Sequence, residues 1–111
     1  MTNSSKRANA QNRILKAAQA LLDGELDALK ASLEIVRWRL DLDPDQTDPD
    51  LLSFAGIESQ VDELLVADSL RGWAPGIREQ KDAEYAETER FFRDGALKSA
   101  RAIVARYGRP A

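Results

Sequence analysis

Asp41, Asp43 and Asp45 form a D-x-D-x-D run. Carboxylates at that spacing open the calcium loop of an EF-hand, which also needs Gly at its sixth position and a bidentate Glu at its twelfth. Those positions hold Gln46 and Leu52, and Pro44 restricts the backbone between the aspartates. The run therefore reads as a solvated acidic loop. Glu58 and Asp62 are four residues apart, hence neighbours on one helix face, with Glu63 beside them. Carboxylate metal sites in helical bundles repeat on several facing helices, commonly with His. The chain has no His and no Cys, which excludes the usual zinc sites, a Cys nucleophile and an imidazole base. It also lacks G-x-x-x-x-G-K-[ST] and G-x-G-x-x-G, the two common phosphate cradles. The expectation is a protein without enzymatic activity, metal or cofactor.

What the carboxylates can do is attract a cation of protein size. The stretch from Asp41 to Leu70 holds nine of them: Asp41, Asp43, Asp45, Asp48, Asp50, Glu58, Asp62, Glu63 and Asp68. It holds no Lys or Arg, whereas the rest of the chain carries sixteen basic against ten acidic residues. Such a patch draws in a basic surface and speeds encounter, with a marked salt dependence. These nine residues are the candidate partner-binding set, for a partner with a basic surface such as a toxin. Lys6, Arg7, Arg13 and Lys16 near one end, and Lys98, Arg101, Arg106 and Arg109 near the other, make a converse case for nucleic acid. An isoelectric point near 5.0 argues against it, because a dedicated nucleic-acid domain is expected to be basic.

The elements that position these groups are helical. At 111 residues the chain is about one domain. Residues 1–9 are polar and unpatterned and read as a flexible tail; residues 10–111 read as a single helical domain. Leu15, Ala18, Leu22, Leu26, Leu29, Leu33, Val36 and Leu40 follow one another at steps of three and four. Gly24 lies off this seam, and a Gly inside a helix costs only about 1 kcal/mol, so the seam predicts one long helix through it. A second apolar stripe, Ala28, Ala31, Ile35, Trp38 and Leu42, lies about 150° round the same helix. A helix apolar on two faces is either central to a bundle or in contact with another chain. Trp38 is then a core residue or an interface anchor, and a homodimer through Ile35, Trp38 and Leu42 is the alternative function.

Asp43-Pro44 and Asp48-Pro49 end the first helical stretch, since the residue before Pro is driven out of the α region. Asp48 followed by Pro49 is a helix start. A short helix over 49–55 is predicted, interrupted at Gly56, with Leu52, Phe54, Ile57, Val61, Leu64 and Leu65 tethering the acidic segment to the bundle. Arg71 to Gly76 is a second break. A long helix follows from Pro75 to Tyr107, stopped by Gly108 and Pro110. Its apolar face runs Tyr85, Phe92, Ala96, Ala100, Ile103 and Tyr107, flanked by Phe91, Leu97 and Val104. The predicted fold is all-α: two long antiparallel helices with a shorter acidic helical segment packed across them.

Leu51-Leu52-Ser53-Phe54-Ala55-Gly56-Ile57-Glu58-Ser59-Gln60-Val61-Asp62 fits the pattern L-L-x-F-x-G-I-x-S-x-x-D. With Leu21-Leu22-Asp23-Gly24-Glu25-Leu26, it resembles a group of small uncharacterised bacterial proteins that are similar to immunity proteins. The likeness spans roughly residues 21–107. It departs at Arg71-Gly72-Trp73, where that group has R-x-x-W; Trp73 is either a bundle-capping core residue or a second candidate interface anchor. The resemblance implies a partner of the toxin kind and brings no active site. Absence of Cys, of a leader-like apolar run and of a membrane-length apolar stretch is the basis for expecting a cytoplasmic protein.

Overall fold

The structure, a computed structural model, describes the backbone of residues 3–68 and 75–108, and within it the side chains of residues 5–60, 79–80 and 82–108. It is all-helical, with four helices and no strand among the described residues: α1 (Asn3–Leu22), α2 (Ala28–Leu42), α3 (Pro49–Asp68) and α4 (Pro75–Tyr107). α1 packs on α2, α2 on α3, α3 on α4 and α4 back on α1, with α2 also reaching α4. At about 1.5 Å per residue, the 33 residues of α4 account for the longest dimension of the molecule, 51 Å.

The predicted single helix through Gly24 is two helices. Gly24 takes φ +80°, the left-handed conformation that closes a helix and that Gly adopts without steric cost. Two backbone bonds complete the stop: Glu25 N–H to Ala20 O at 2.8 Å and Gly24 N–H to Leu21 O at 3.2 Å. This is the paired bonding of a Schellman turn. The three-and-four spacing persists across the break because Leu26, already outside α1, still packs against the core. α2 then restarts at Asp27, whose carboxylate accepts the Lys30 N–H at 2.8 Å.

The other elements begin and end as their caps dictate. Asp48 Oδ1 accepts the N–H groups of Asp50 at 2.9 Å and Leu51 at 3.2 Å, so α3 starts at Pro49 as expected. α3 does not stop at Gly56, however, and is a 20-residue helix, as long as α1. A lone Gly costs too little to break a helix held by flanking apolar contacts. α4 begins at Pro75 and ends at Tyr107. The polar residues read as a tail are helical from Asn3 and exposed from Ser5 to Asn9; the first buried side chain among those described is Ala10.

The core described combines small residues with large ones in equal number. Ala10, Ala17 and Ala18 of α1, Ala28, Ala31 and Ser32 of α2, and Ala96, Ser99 and Ala100 of α4 are buried, which lets the helices approach closely. Ile14, Leu29, Ile35, Leu51, Phe54 and Ile103 fill the space between them. Ile35 and Leu42, proposed above as part of a dimer face, are fully buried here. On α3 it is Leu51 that tethers the helix, and Leu52 is exposed. Val61, Leu64 and Leu65 lie outside the described side chains. No helix among the described residues is long and apolar enough to cross a membrane.

Candidate functional site

The α2–α3 loop holds three of the nine acidic residues singled out in the sequence, Asp43, Asp45 and Asp48, with Asp41 and Asp50 flanking it, and it is bonded into one shape. Asp43 Oδ1 accepts the Thr47 N–H at 3.2 Å and its hydroxyl at 3.1 Å, while Oδ2 accepts the Asp48 N–H at 2.9 Å. Gln46 sits at φ 55°, a left-handed turn position, and its side-chain oxygen accepts from Arg39 at 3.1 Å. Asp48 reaches the far end of the chain. Its Oδ2 accepts from Arg106 Nη1 at 2.6 Å and from the Tyr107 hydroxyl. Arg106 Nη2 also donates to Asp50 at 3.1 Å. Gln11 of α1 closes the same corner by donating to the Tyr107 carbonyl at 2.8 Å.

The protonation of these groups follows from the bonds. The Asp48 backbone N–H, with help from Thr47, holds the Asp43 carboxyl below the usual range. Burial works against the charge of Asp48, but the bonds from Tyr107, Arg106 and two backbone N–H groups outweigh it, and its pKa is also lowered. Burial and the adjacent Asp48 push the Tyr107 phenol up to about 12. The Arg106 guanidinium is raised by the same carboxylate. These are groups locked in one charge state; none is poised to exchange a proton near neutrality.

This arrangement consumes part of the predicted partner-binding set. Asp43 is bonded to the loop's own groups, Asp48 is buried, Asp50 pairs with Arg106, and Asp41 lies 3.7 Å from Lys6. Asp45 is exposed and Glu58 half-exposed. Asp62, Glu63 and Asp68 lie outside the described side chains, as does Trp73. Among the described residues no three acidic side chains gather as a metal site requires. A shallow cleft of about 430 Å³ beside the loop is bordered by Asp43, Asp45, Asp48, Arg7 and Arg106, so its charges are mixed. Trp38 is half-buried, donates to Glu34 at 3.2 Å and has the Arg13 and Arg37 guanidinium groups each 5.5 Å from its ring. Ile35 and Leu42, expected to share its face, lie in the core.

Compared with protein-family models, curated protein sequences and solved structures, the chain has no significant match in any of the three.

A second polar cluster lies at the opposite corner. Buried Glu89 accepts the Ala28 N–H at 3.0 Å and pairs with Arg93, while Tyr85 donates to Asp27 at 2.8 Å. Burial opposes the Glu89 charge, but Arg93 and the Ala28 N–H win and its pKa is lowered. The cluster fastens the start of α2 to α4.

The surface that sequence reasoning missed lies between α3 and α4. A groove of about 290 Å³ is lined by Ser53, Gly56, Ile57 and Gln60 of α3 and by Phe91, Phe92 and Gly95 of α4. Phe91 is 79% exposed and meets Phe92 edge-on, with ring centroids 4.9 Å apart. The signal was present in the sequence. Adjacent residues on a helix point about 100° apart, so with Phe92 on the apolar face Phe91 is turned towards its edge.

Proposed function

We propose that the chain is a non-enzymatic protein-binding module of the inhibitor or immunity type, offering a basic partner the carboxylates of α3 and of the loop before it. The observation that carries this reading is the bonding of the loop. Asp43 and Asp48 hold it from within, so Asp45 in its turn and Glu58 on the following helix are presented without an ordering cost on binding. In this reading α4 runs antiparallel to α1, and the acidic segment is held against them. Asp62, Glu63 and Asp68 extend the same charge along α3, and the resemblance of the Leu51–Asp62 motif points to the same kind of partner. The absence of His and Cys and the locked charges of the loop fit a binding role in the cytoplasm.

Parallel affinity capture with wild type and with an Asp45→Asn, Glu58→Gln double variant tests it, because neither side chain belongs to the loop's internal bonds. A basic protein should be retained by wild type, released progressively by salt and held less well by the variant. A partner whose retention neither salt nor the variant changes overturns the electrostatic reading.

A further inference from the structure

We infer that the outer face of α4 is a self-complementary surface on which a second copy of this chain docks in antiparallel orientation, each Phe91 entering the groove of its partner. Phe91 supplies the projection. A large aromatic side chain 79% exposed in the middle of a long helix has the character of an interface anchor. The same face supplies the recess, since the groove beside Phe91 is floored by Gly56 and Gly95. A Cβ built on either glycine meets nothing within 4 Å, so there is room for an inserted ring. Ser53 and Gln60 along the groove are uncharged, and charge depletion at the centre is the usual composition of an interface core.

The charges around Phe91 select the occupant. Glu87, Phe91, Asp94 and Lys98 follow at steps of four, three and four, which keeps them on one outward stripe of α4. All four are exposed, as is Arg90. Within the chain, Glu87, Arg90 and Lys98 have no ion-pair partner among the described residues. Two copies of α4 crossing antiparallel near residues 92 and 93 bring Glu87 of one opposite Lys98 of the other. The same register sets Phe91 opposite Asp94, one residue from Gly95, and Arg90 opposite Gly95, one residue from Asp94. A parallel arrangement would set each charge against its own kind. A two-fold axis makes every favourable pair occur twice, as an isologous contact requires. This surface is distinct from the loop carboxylates, so the two readings stand or fall separately.

Sedimentation velocity from low micromolar to several hundred micromolar protein tests the inference. The expected result is a weight-average mass rising from 12.3 kDa towards twice that value. Phe91→Ser leaves the core untouched and should weaken association by at least about tenfold. Glu87→Lys and Lys98→Glu should each weaken it, and the Glu87→Lys, Lys98→Glu double variant should restore it, because the pair is re-formed across the axis with its signs exchanged. Helical circular dichroism verifies that each variant is folded. A protein that stays monomeric over the whole range overturns the inference, as does a dimer indifferent to Phe91→Ser or a double variant no tighter than the singles. A monomer would leave the capture experiment with the loop carboxylates unaffected.

Discussion

Asp48 does two structural jobs with two oxygens: Oδ1 caps α3, and Oδ2 receives Arg106 and Tyr107 from the end of α4. The two jobs can be separated by substitution. Asp48→Ala removes both and leaves the Tyr107 hydroxyl without its acceptor, for an expected loss of about 2–3 kcal/mol. Asp48→Asn keeps an oxygen for the cap but turns a donor towards Arg106 and Tyr107, so it should lose the second job alone. Chemical denaturation with an unchanged m-value would show both losses; equal midpoints for Asp48→Ala and Asp48→Asn would mean the cap contributes nothing. Tyr107 gives an independent readout. Its folded pKa is raised to about 12, so its bond stabilises fully below the unfolded phenol value of about 10 and is lost as pH rises through the folded value. In a Tyr85→Phe background, phenolate absorbance should appear near 12 and move down towards 10 in Asp48→Asn. The cap was legible in the sequence, because Asp followed by Pro is a local signal. The bond to Arg106 was not, since nothing in a chain says which of sixteen cations folds back on a given carboxylate 58 residues away. That is why the loop read as a free acidic patch.

Helix boundaries divide along the same line of local against distant information. Pro75 and Gly108 bracket α4 as the sequence predicts, because both act on their own backbone. Gly24 and Gly56 were read the wrong way round, and the reason is instructive. An apolar seam with steps of three and four is compatible with one helix or with two helices joined by a turn whose leucine still reaches the core, and Leu26 realises the second. What distinguishes the two glycines is φ, which composition does not reveal. Gly24 lies at +80° and Gly56 lies within a continuous helix. Alanine substitutions should therefore act in opposite directions. Gly24→Ala strains the turn and should destabilise by about 1 kcal/mol. Gly56→Ala removes unfolded-chain entropy where a Cβ meets nothing, and should stabilise by about 0.5–1 kcal/mol. Thermal unfolding in dilute solution measures both, and a shift of the same sign in the two variants would refute the assignment of their backbone roles.

At the scale of the whole molecule, the bundle is fastened at two corners by buried carboxylates, Asp48 against Arg106 and Tyr107, and Glu89 against Arg93 and the start of α2. Seven of the sixteen buried hydrophobic residues described are alanines, which bury little area each, so these fastenings are a sizeable part of a margin that is only about 5–15 kcal/mol in a typical domain. Asp43, Asp48 and Glu89 all have folded pKa values below their ordinary ones. Their contribution is therefore complete above the unfolded values, about 3.9 for Asp and 4.3 for Glu, and disappears as pH falls through the lower folded values. Denaturation midpoints should be flat from neutrality to about pH 5 and then decline steeply in acid. Asp48→Asn and Glu89→Gln should each lower the neutral plateau and shallow the acid limb, with all the curves converging at the lowest pH. Residues 89 and 106 are 17 positions apart on α4, which at about 1.5 Å each separates the corners by about 25 Å. At that distance the two losses should add to within about 0.5 kcal/mol. A double variant much less destabilised than the sum would mean that the corners open together and the bundle is fastened as one unit; an acid limb unchanged in both variants would remove these carboxylates from the account of its stability.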